Sequence, residues 1–138
     1  MAKHIVVIDD CRVTLAIITD MLEYAGFRVS TAEDSIYSNH LIYNSSPPDL
    51  ILLDVMLPHM SGDKKARKLK ERKGSCDIPL LLISSKNESE LVKMVSSSGA
   101  DGFLCKPFTA DKLLDTVQAH LAAAFSSLPK PFQPATCC

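Results

Sequence analysis

Chemistry-bearing side chains follow four short apolar segments of this 138-residue chain, at the point where each segment ends. They are three carboxylates, one hydroxyl and one ammonium group, at Asp9, Asp10, Asp54, Ser84 and Lys106. Carboxylates held side by side repel one another unless a cation lies among them, and Mg²⁺ prefers a few carboxylate oxygens plus several waters. The acidic residues are therefore a candidate Mg²⁺ site.

Phosphoryl transfer to a carboxylate is a reaction that suits this set of groups. It needs an exposed nucleophilic oxygen, a divalent cation that neutralises the transferring group, and further donors fixed around them. Asp54 is the candidate nucleophile. Taken singly, each residue also has an ordinary structural interpretation, because strand-end carboxylates cap helices and hydroxyls satisfy nearby backbone groups. Their joint occurrence favours a phosphoacceptor site.

The four apolar segments have the character of buried strands. They are Ile5 to Ile8, Leu50 to Leu53, Leu80 to Ile83, and Phe103 to Leu104. Segments with helical periodicity separate them, which is typical of a parallel sheet covered by helices on both faces. Ligands of such sheets bind beyond the carboxyl ends of the strands, so the chemical groups are expected to meet at one edge.

Five strand–helix units are predicted between residues 4 and 124. A further strand is predicted at residues 27 to 31, and the helices at 12 to 25, 34 to 43, 61 to about 73, 88 to 98, and from a cap at Thr109 onward. The pattern at residues 34 to 43 is the weaker one. These units predict one domain over residues 1–124, and the Ser- and Pro-rich residues 125–138 predict a disordered tail or the start of an interdomain linker.

Composition limits the possible classes of protein. The chain is 46% hydrophobic and 22% charged, which is typical of a soluble domain with its own core. It has no apolar stretch long enough to cross a bilayer and no signal-peptide segment, so we expect a cytoplasmic protein without membrane contact. Five Cys without short paired spacings predict reduced thiols and no zinc site, with the role of Cys137-Cys138 left open.

One segment is strongly basic although the formal net charge of the chain is only −1. Between Lys64 and Lys73, seven side chains are basic and Glu71 is the only acid, while Ala66 and Leu69 supply an inward face. A solvated helix surface is the expectation, and docking to an acidic partner is the alternative. Direct nucleic acid binding is not expected, because no helix-turn-helix or similar module accompanies the segment.

In their order and placement these residues resemble the response-regulator receiver domain, the phosphoacceptor module of two-component signalling. Asp9-Asp10 matches the family's acidic pair, Asp54 its phosphorylated aspartate, Ser84 its switch hydroxyl, Phe103 its switch aromatic, Lys106-Pro107 its lysine and proline, and Met56-Leu57-Pro58 and Gly62 its following loop. The resemblance implies a flavodoxin-like, doubly wound, five-stranded parallel sheet with strand order 2-1-3-4-5 and five helices.

The resemblance also implies roles for individual residues. Asp10 and Asp54 would bind Mg²⁺ directly together with the backbone carbonyl of Met56, and Asp9 would act through an ordered water. Lys106 and the Ser84 hydroxyl would contact phosphoryl oxygens. The Lys106-Pro107 bond would be cis, and movement of Ser84 toward the phosphoryl group would let Phe103 rotate inward.

By the same resemblance, a bacterial chain of this kind accepts a phosphoryl group from a sensor histidine kinase or a histidine phosphotransfer protein. It would act on a downstream protein or an attached output domain, as a monomer or a phosphorylation-dependent dimer. It would be no enzyme beyond its own phosphorylation and dephosphorylation. The alternative is a pseudo-receiver that acts as a phosphorylation-independent interaction module.

Other classes with similar features fit the sequence less well. A haloacid-dehalogenase-type phosphatase needs a second acid two residues after its nucleophile, where this chain has Met56. A flavodoxin-type carrier needs a hydroxyl-rich phosphate loop after the first strand, where this chain is acidic. A nucleotidase of the P-loop class needs a glycine-rich loop with Lys and Ser or Thr, which the sequence lacks.

Overall fold

Strands and helices alternate along the chain in the computed structural model, which describes residues 2–125. The strands are β1 (His4–Ile8), β2 (Arg28–Ala32), β3 (Leu50–Asp54), β4 (Leu80–Ser84) and β5 (Gly102–Cys105). The helices of the described part are α1 (Arg12–Tyr24), α2 (Asn39–Ile42), α3 (Gly62–Glu71), α4 (Glu88–Ser98) and α5 (Ala110–Phe125). All neighbouring strands are parallel, in the order β2-β1-β3-β4-β5. This topology confirms the predicted doubly wound sheet.

The sheet separates two apolar clusters, because successive side chains of a strand point to opposite faces. One cluster joins alternate residues of the central strands to α3 and α4, and includes Val6, Ile51, Leu53, Leu69, Leu82 and Leu91. The other joins the remaining residues to α1 and α5, and includes Val7, Ile18, Leu22, Leu52, Leu81 and Val117. Burial on both faces explains why the central strands are continuously apolar.

Two helices are shorter than the sequence predicts. In place of a helix over residues 34 to 43, residues 33–38 form bends and turns and only Asn39–Ile42 is helical. The Asp34 carboxylate accepts a hydrogen bond of 2.6 Å from the Tyr37 backbone N–H, a local bond that competes with helix formation. Helix α3 ends at Glu71, and the Ser75 hydroxyl donates a hydrogen bond of 2.7 Å to the carbonyl of Leu69, one of the groups that a helix end leaves without a partner in the helix.

Helix α5 begins at the cap that the sequence predicts, Thr109. The Thr109 hydroxyl accepts a hydrogen bond of 3.1 Å from the Lys112 backbone N–H at the start of α5. The predicted tail or linker lies outside the described residues from residue 126 onward. Within residues 2–125, no helix combines the length and apolar character that a membrane span requires.

Candidate functional site

The carboxyl ends of β1, β3, β4 and β5 lie side by side and place the chemical groups at one edge of the sheet. Ile8 is paired with Leu53, and Ser84 is paired with Cys105. The pairing continues past the strand ends, since the Lys106 backbone N–H donates to the Ser84 carbonyl at 2.8 Å. Each predicted site residue at this edge therefore has a fixed backbone position.

Three carboxylates and one ammonium group meet here, and we call Asp9, Asp10, Asp54 and Lys106 the acidic site. Each aspartate offers a carboxylate oxygen, and these oxygens lie within 4.8 Å of one another. Asp9 is completely buried and Asp54 is 4% exposed, whereas Asp10 is exposed. Two buried carboxylates and one open to solvent form an oxygen set of the kind that Mg²⁺ prefers, with room for its waters, so these residues fit that ion.

Lys106 partly neutralises the acidic site. Its Nζ lies 2.8 Å from Asp9 Oδ2 and 3.7 Å from Asp54 Oδ1. The other Asp9 oxygen accepts a hydrogen bond of 2.9 Å from the Cys11 backbone N–H. Burial by itself would lower the pKa of the Lys106 ammonium, but the hydrogen bond to Asp9 and the nearby Asp54 charge leave that pKa raised. Lys106 is therefore charged at neutral pH.

Asp54 has an environment that disfavours its charge. Burial, and next the charge of Asp9, raise the pKa of the Asp54 carboxyl to about 6. Lys106 and a backbone hydrogen bond from Met56 act in the opposite direction and only partly offset this rise. Because a pKa of about 6 lies below neutral pH, the Asp54 carboxyl is ionised in most molecules at neutral pH. The ionised carboxylate can act as a nucleophile.

Ser84 and Phe103 belong to β4 and β5, the two strands at one side of the acidic site. The Ser84 side chain is buried, and its Oγ accepts a hydrogen bond of 3.1 Å from the Lys86 backbone N–H. No hydrogen bond joins Ser84 to Asp54 in the described residues. Phe103 is paired with Leu82 and half-buried, packing against the cluster on the α3 and α4 face. The Phe103 side chain is therefore neither fully buried in the core nor fully exposed to solvent.

The loop between β3 and α3 turns back sharply onto Asp54. A Cβ at Gly62 would collide with the backbone of Asp54 and Val55, so only glycine fits there. The Gly62 N–H donates to the Val55 carbonyl at 2.7 Å, which holds this close approach. Met56 is 62% exposed beside the site. The Lys106-Pro107 bond is cis, as the resemblance implied.

Most of the basic segment is the solvated surface that the sequence predicted, because Lys64, Arg67, Lys68, Arg72 and Lys73 are exposed. Lys65 and Lys70 are the exceptions. Lys65 is 6% exposed, the Lys70 Nζ lies 2.7 Å from Asp101 Oδ2, and the Arg72 guanidinium lies 4.1 Å from the centre of the Tyr43 ring. Sequence reasoning missed Lys65 because it placed only Ala66 and Leu69 on the inward face. The signal was available, since residue 65 lies one helical turn before Leu69 and shares its face.

Two of the cysteines agree with the prediction of reduced thiols, and one does not. Cys11 and Cys105 are free, in agreement with the expectation of reduced thiols. Cys76 is disulfide-bonded, so the expectation was wrong at that position. Spacing along the sequence does not decide which thiols the fold brings together.

Comparisons with known proteins agree with this geometry. The family model described as "Response regulator receiver domain" matches residues 5–118. The phosphate regulon transcriptional regulatory protein PhoB of Pseudomonas aeruginosa is 35% identical over 121 residues, which cover 88% of this chain and 52% of that protein. The transcriptional regulator RpaA of Synechocystis is 34% identical over 118 residues, which cover 86% and 48%. The chain spans about half the length of these curated relatives.

Solved structures share the fold at lower sequence identity. A response regulator from Chloroflexus aurantiacus superposes with a TM-score of 0.83 at 23% identity, covering 88% of this chain and 99% of that one. The receiver domain of a sensor histidine kinase from Pseudomonas aeruginosa, solved with a magnesium ion coordinated in its active site cleft, has a TM-score of 0.79 at 22% identity and covers 88% and 99%. The strand order, the family match over most of its length and the relatives together show that this chain belongs to the response regulator receiver domain family of two-component systems.

Proposed function

We propose that the chain accepts a phosphoryl group on Asp54, with Mg²⁺ as cofactor, from a sensor histidine kinase or a histidine phosphotransfer protein. The observation that carries this proposal is the gathering of three carboxylates within 4.8 Å of one another, with the Lys106 Nζ 3.7 Å from Asp54. Family membership and the magnesium ion in a related receiver domain support it. Phosphorylation then switches a protein-interaction surface.

The acidic site supplies both the metal ligands and the nucleophile. Asp10, Asp54 and the Met56 backbone carbonyl would hold Mg²⁺, with Asp9 acting through a water, and the bound ion would neutralise oxygens of the transferring group. An Asp54 oxygen forms a bond to phosphorus while the bond from phosphorus to the donor breaks, and the donor leaves with that electron pair. Lys106 contacts one phosphoryl oxygen of the resulting aspartyl phosphate.

Ser84 and Phe103 link the modification to the surface. The Ser84 Oγ acts as an acceptor toward Lys86, so its O–H is available to donate to a phosphoryl oxygen. Movement of this hydroxyl toward Asp54 changes the space next to Phe103, and rotation of the ring alters the face formed by α4, β5 and α5. A downstream protein or an attached output domain binds this face, and the domain is a monomer or a phosphorylation-dependent dimer. Family membership supports a cytoplasmic location, with no direct contact to nucleic acid or membrane.

Intact-protein mass spectrometry after incubation with acetyl phosphate and Mg²⁺ tests the proposal. We expect one phosphoryl adduct on the wild type, lost in Asp54→Ala and lost when a chelator removes the metal. Asp77→Ala is the matched control, because Asp77 is exposed and precedes β4 at the opposite edge of the sheet, so this variant should be labelled normally.

The alternative is a phosphorylation-independent interaction module with the same fold. Absence of an adduct on folded wild-type protein would overturn the proposal in favour of that alternative. An adduct that persists in Asp54→Ala would show that another residue is the acceptor.

A further inference from the structure

A cavity lies between α3 and the segment that precedes and includes α2. It has a volume of about 470 Å³, within the range of small-molecule sites. It is lined by Ser35, Ile36, Asn39, Tyr43, Met60, Lys65, Lys68, Glu71 and Arg72, and we call it the basic cavity. Residues 33–38, which form bends and turns in place of the predicted helix, contribute Ser35 and Ile36 to its lining.

Lys65 is the unusual residue of the basic cavity. Its side chain is 6% exposed, and its Nζ donates to Asn39 Oδ1 at 2.5 Å. Asn39 is the only hydrogen-bond acceptor it has among the described residues, and none of the ion pairs there includes Lys65. A buried ammonium group whose acceptor is a neutral amide keeps most of its desolvation cost.

The surrounding charges do not relieve this cost. Burial, followed by the charges of Arg72 and Lys68, lowers the pKa of Lys65 to about 8, and Asp34 opposes this only weakly. Three cationic side chains line the cavity against one acid, Glu71. The lining of the cavity therefore carries an excess of positive charge.

A hydroxyl group and an apolar wall complete the cavity. Ser35 is 1% exposed, and its Oγ has no hydrogen-bond partner, although buried polar groups almost always have one. On another side, the Tyr43 ring is held by a hydrogen bond of 2.9 Å from its hydroxyl to Ser75 and by Arg72, whose guanidinium lies over it. Ile36 and Met60 add apolar surface.

We propose that the basic cavity binds a small organic anion, with its phosphate or carboxylate group at Lys65, Lys68 and the Ser35 hydroxyl and its apolar part against Tyr43 and Met60. The anion supplies the negative charge that Lys65 lacks and an acceptor for Ser35. Charge-assisted hydrogen bonds to an oxyanion are among the stronger polar contacts in proteins. This site is separate from the acidic site and does not depend on phosphorylation of Asp54.

A titration followed by NMR tests the proposal on the full chain. The probes are phenyl phosphate, benzoate and inorganic phosphate, added in the presence of a chelator so that no metal mediates binding at the acidic site. We expect saturable shifts at the amides of Ser35 and Asn39 and at the Lys65 side chain. Tighter binding of phenyl phosphate than benzoate, or the reverse, identifies the preferred anionic group, and weaker binding of inorganic phosphate measures the apolar contribution.

Matched lysine variants make the test specific. Lys65→Met should weaken binding about tenfold or more, the equivalent of one lost charge-assisted hydrogen bond. Lys64→Met is the control, because the neighbouring Lys64 is exposed, and its affinity should stay within about twofold of the wild type. If Lys65→Met fails to fold, Lys68→Met provides a second variant at an exposed position of the cavity lining, with binding reduced several-fold.

The pKa of the Lys65 ammonium gives a readout that a merely structural lysine would not move. Saturation with an anion should raise this pKa by about one unit for each tenfold preference of the anion for charged Lys65. The proposal is wrong if none of the three probes gives saturable shifts, if Lys65→Met binds as tightly as the wild type, or if the shifts are confined to the acidic site.

Discussion

Lys106 and Lys65 are two partly or fully buried lysines of one domain, yet their pKa values shift in opposite directions. Burial lowers the pKa of both, but Lys106 faces the carboxylates of Asp9 and Asp54 and its pKa ends above the ordinary value. Lys65 faces the Asn39 amide and two further cations, and its pKa falls to about 8. The partner, and not the degree of burial, decides the sign of the shift.

The same contrast describes the two sites as wholes. The acidic site has three carboxylates and one ammonium group, so it lacks positive charge and suits a cation. The basic cavity has three cationic side chains and one carboxylate in its lining, so it lacks negative charge and suits an anion. Each imbalance predicts the charge of the ligand that completes the site.

A Lys→Met change that removes the ammonium group should lower the stability of the protein at the acidic site and raise it at the basic cavity. The larger change in stability is expected at the acidic site. Lys106→Met leaves the fully buried Asp9 carboxylate without its cation. We expect the free energy of unfolding to fall by about 3 kcal/mol in the presence of a chelator, measured by urea denaturation. Added Mg²⁺ should stabilise this variant more than the wild type, because the ion replaces the missing positive charge. Unchanged stability in chelator would contradict the role given to this ion pair.

Asp54→Asn should be more stable than the wild type at neutral pH. The folded-state pKa of Asp54, about 6, exceeds the ordinary value of 3.8, so the folded state binds the proton more tightly than the unfolded state. The stability of the wild type therefore falls as the pH rises from about 4 to about 6, whereas the neutral Asn has no such loss.

Without metal, we expect the variant to gain about 1–2 kcal/mol at pH 7.5 and nothing below pH 4, from denaturation at several pH values. Asp77→Asn is the control, because this carboxylate is exposed. An equal gain at both pH values would show that ionisation of Asp54 is not the cause.

Lys65→Met should stabilise the chain slightly, in contrast to Lys106→Met. The change removes an unpaired buried charge and keeps an apolar side chain of similar length. We expect the melting temperature at pH 7 to rise by a few degrees, which corresponds to about 1 kcal/mol. Lys64→Met serves as the exposed control. A marked loss of stability would mean that Lys65 has a counterion within the protein, and the basic cavity would then not lack negative charge.

The smallest expected effect is the pH dependence of this stabilisation. Because the pKa of Lys65 is lowered from 10.5 to about 8 by folding, the unfolded state binds more protons between these pH values, and the stability of the wild type rises across them. The advantage of Lys65→Met over the wild type should therefore shrink by on the order of 1 kcal/mol between pH 8 and 10.5. Parallel pH profiles of the two proteins would show that Lys65 does not titrate in this range.

The fold and the acidic site were more accessible from sequence than the basic cavity. Continuous apolar strands and their polar ends are local features, and a parallel sheet brings those ends to one edge regardless of other details. The placement of Asp54 and Lys106 therefore followed from strand prediction and family resemblance. The distances, and the pairing of Lys106 with Asp9 in preference to Asp54, needed the structure.

The basic cavity is lined in part by a segment for which the helix predicted over residues 34 to 43 is wrong. The Asp34 side chain accepts a hydrogen bond from the backbone of Tyr37, a local bond that competes with helix formation. Residues 33–38 form bends and turns, and Ser35 and Ile36 from this segment line the cavity beside α3. A lysine among six other basic residues is expected to be solvated, and nothing in the charge pattern distinguished Lys65 from Lys64. Only the position of Lys65 on the same helical face as Leu69 separated the two.

The contact between Gly62 and the Asp54 backbone has a consequence for both sites. Helix α3 starts at Gly62, and Lys65 lies in its first turn. The close approach of Gly62 to the Asp54 backbone therefore links the strand that carries Asp54 to the helix that carries Lys65. The Gly62→Ala substitution would force the start of α3 away from the end of β3, because the new Cβ collides with the Asp54 carbonyl oxygen. One added methyl group would thus disturb two sites of opposite charge that share no side chain.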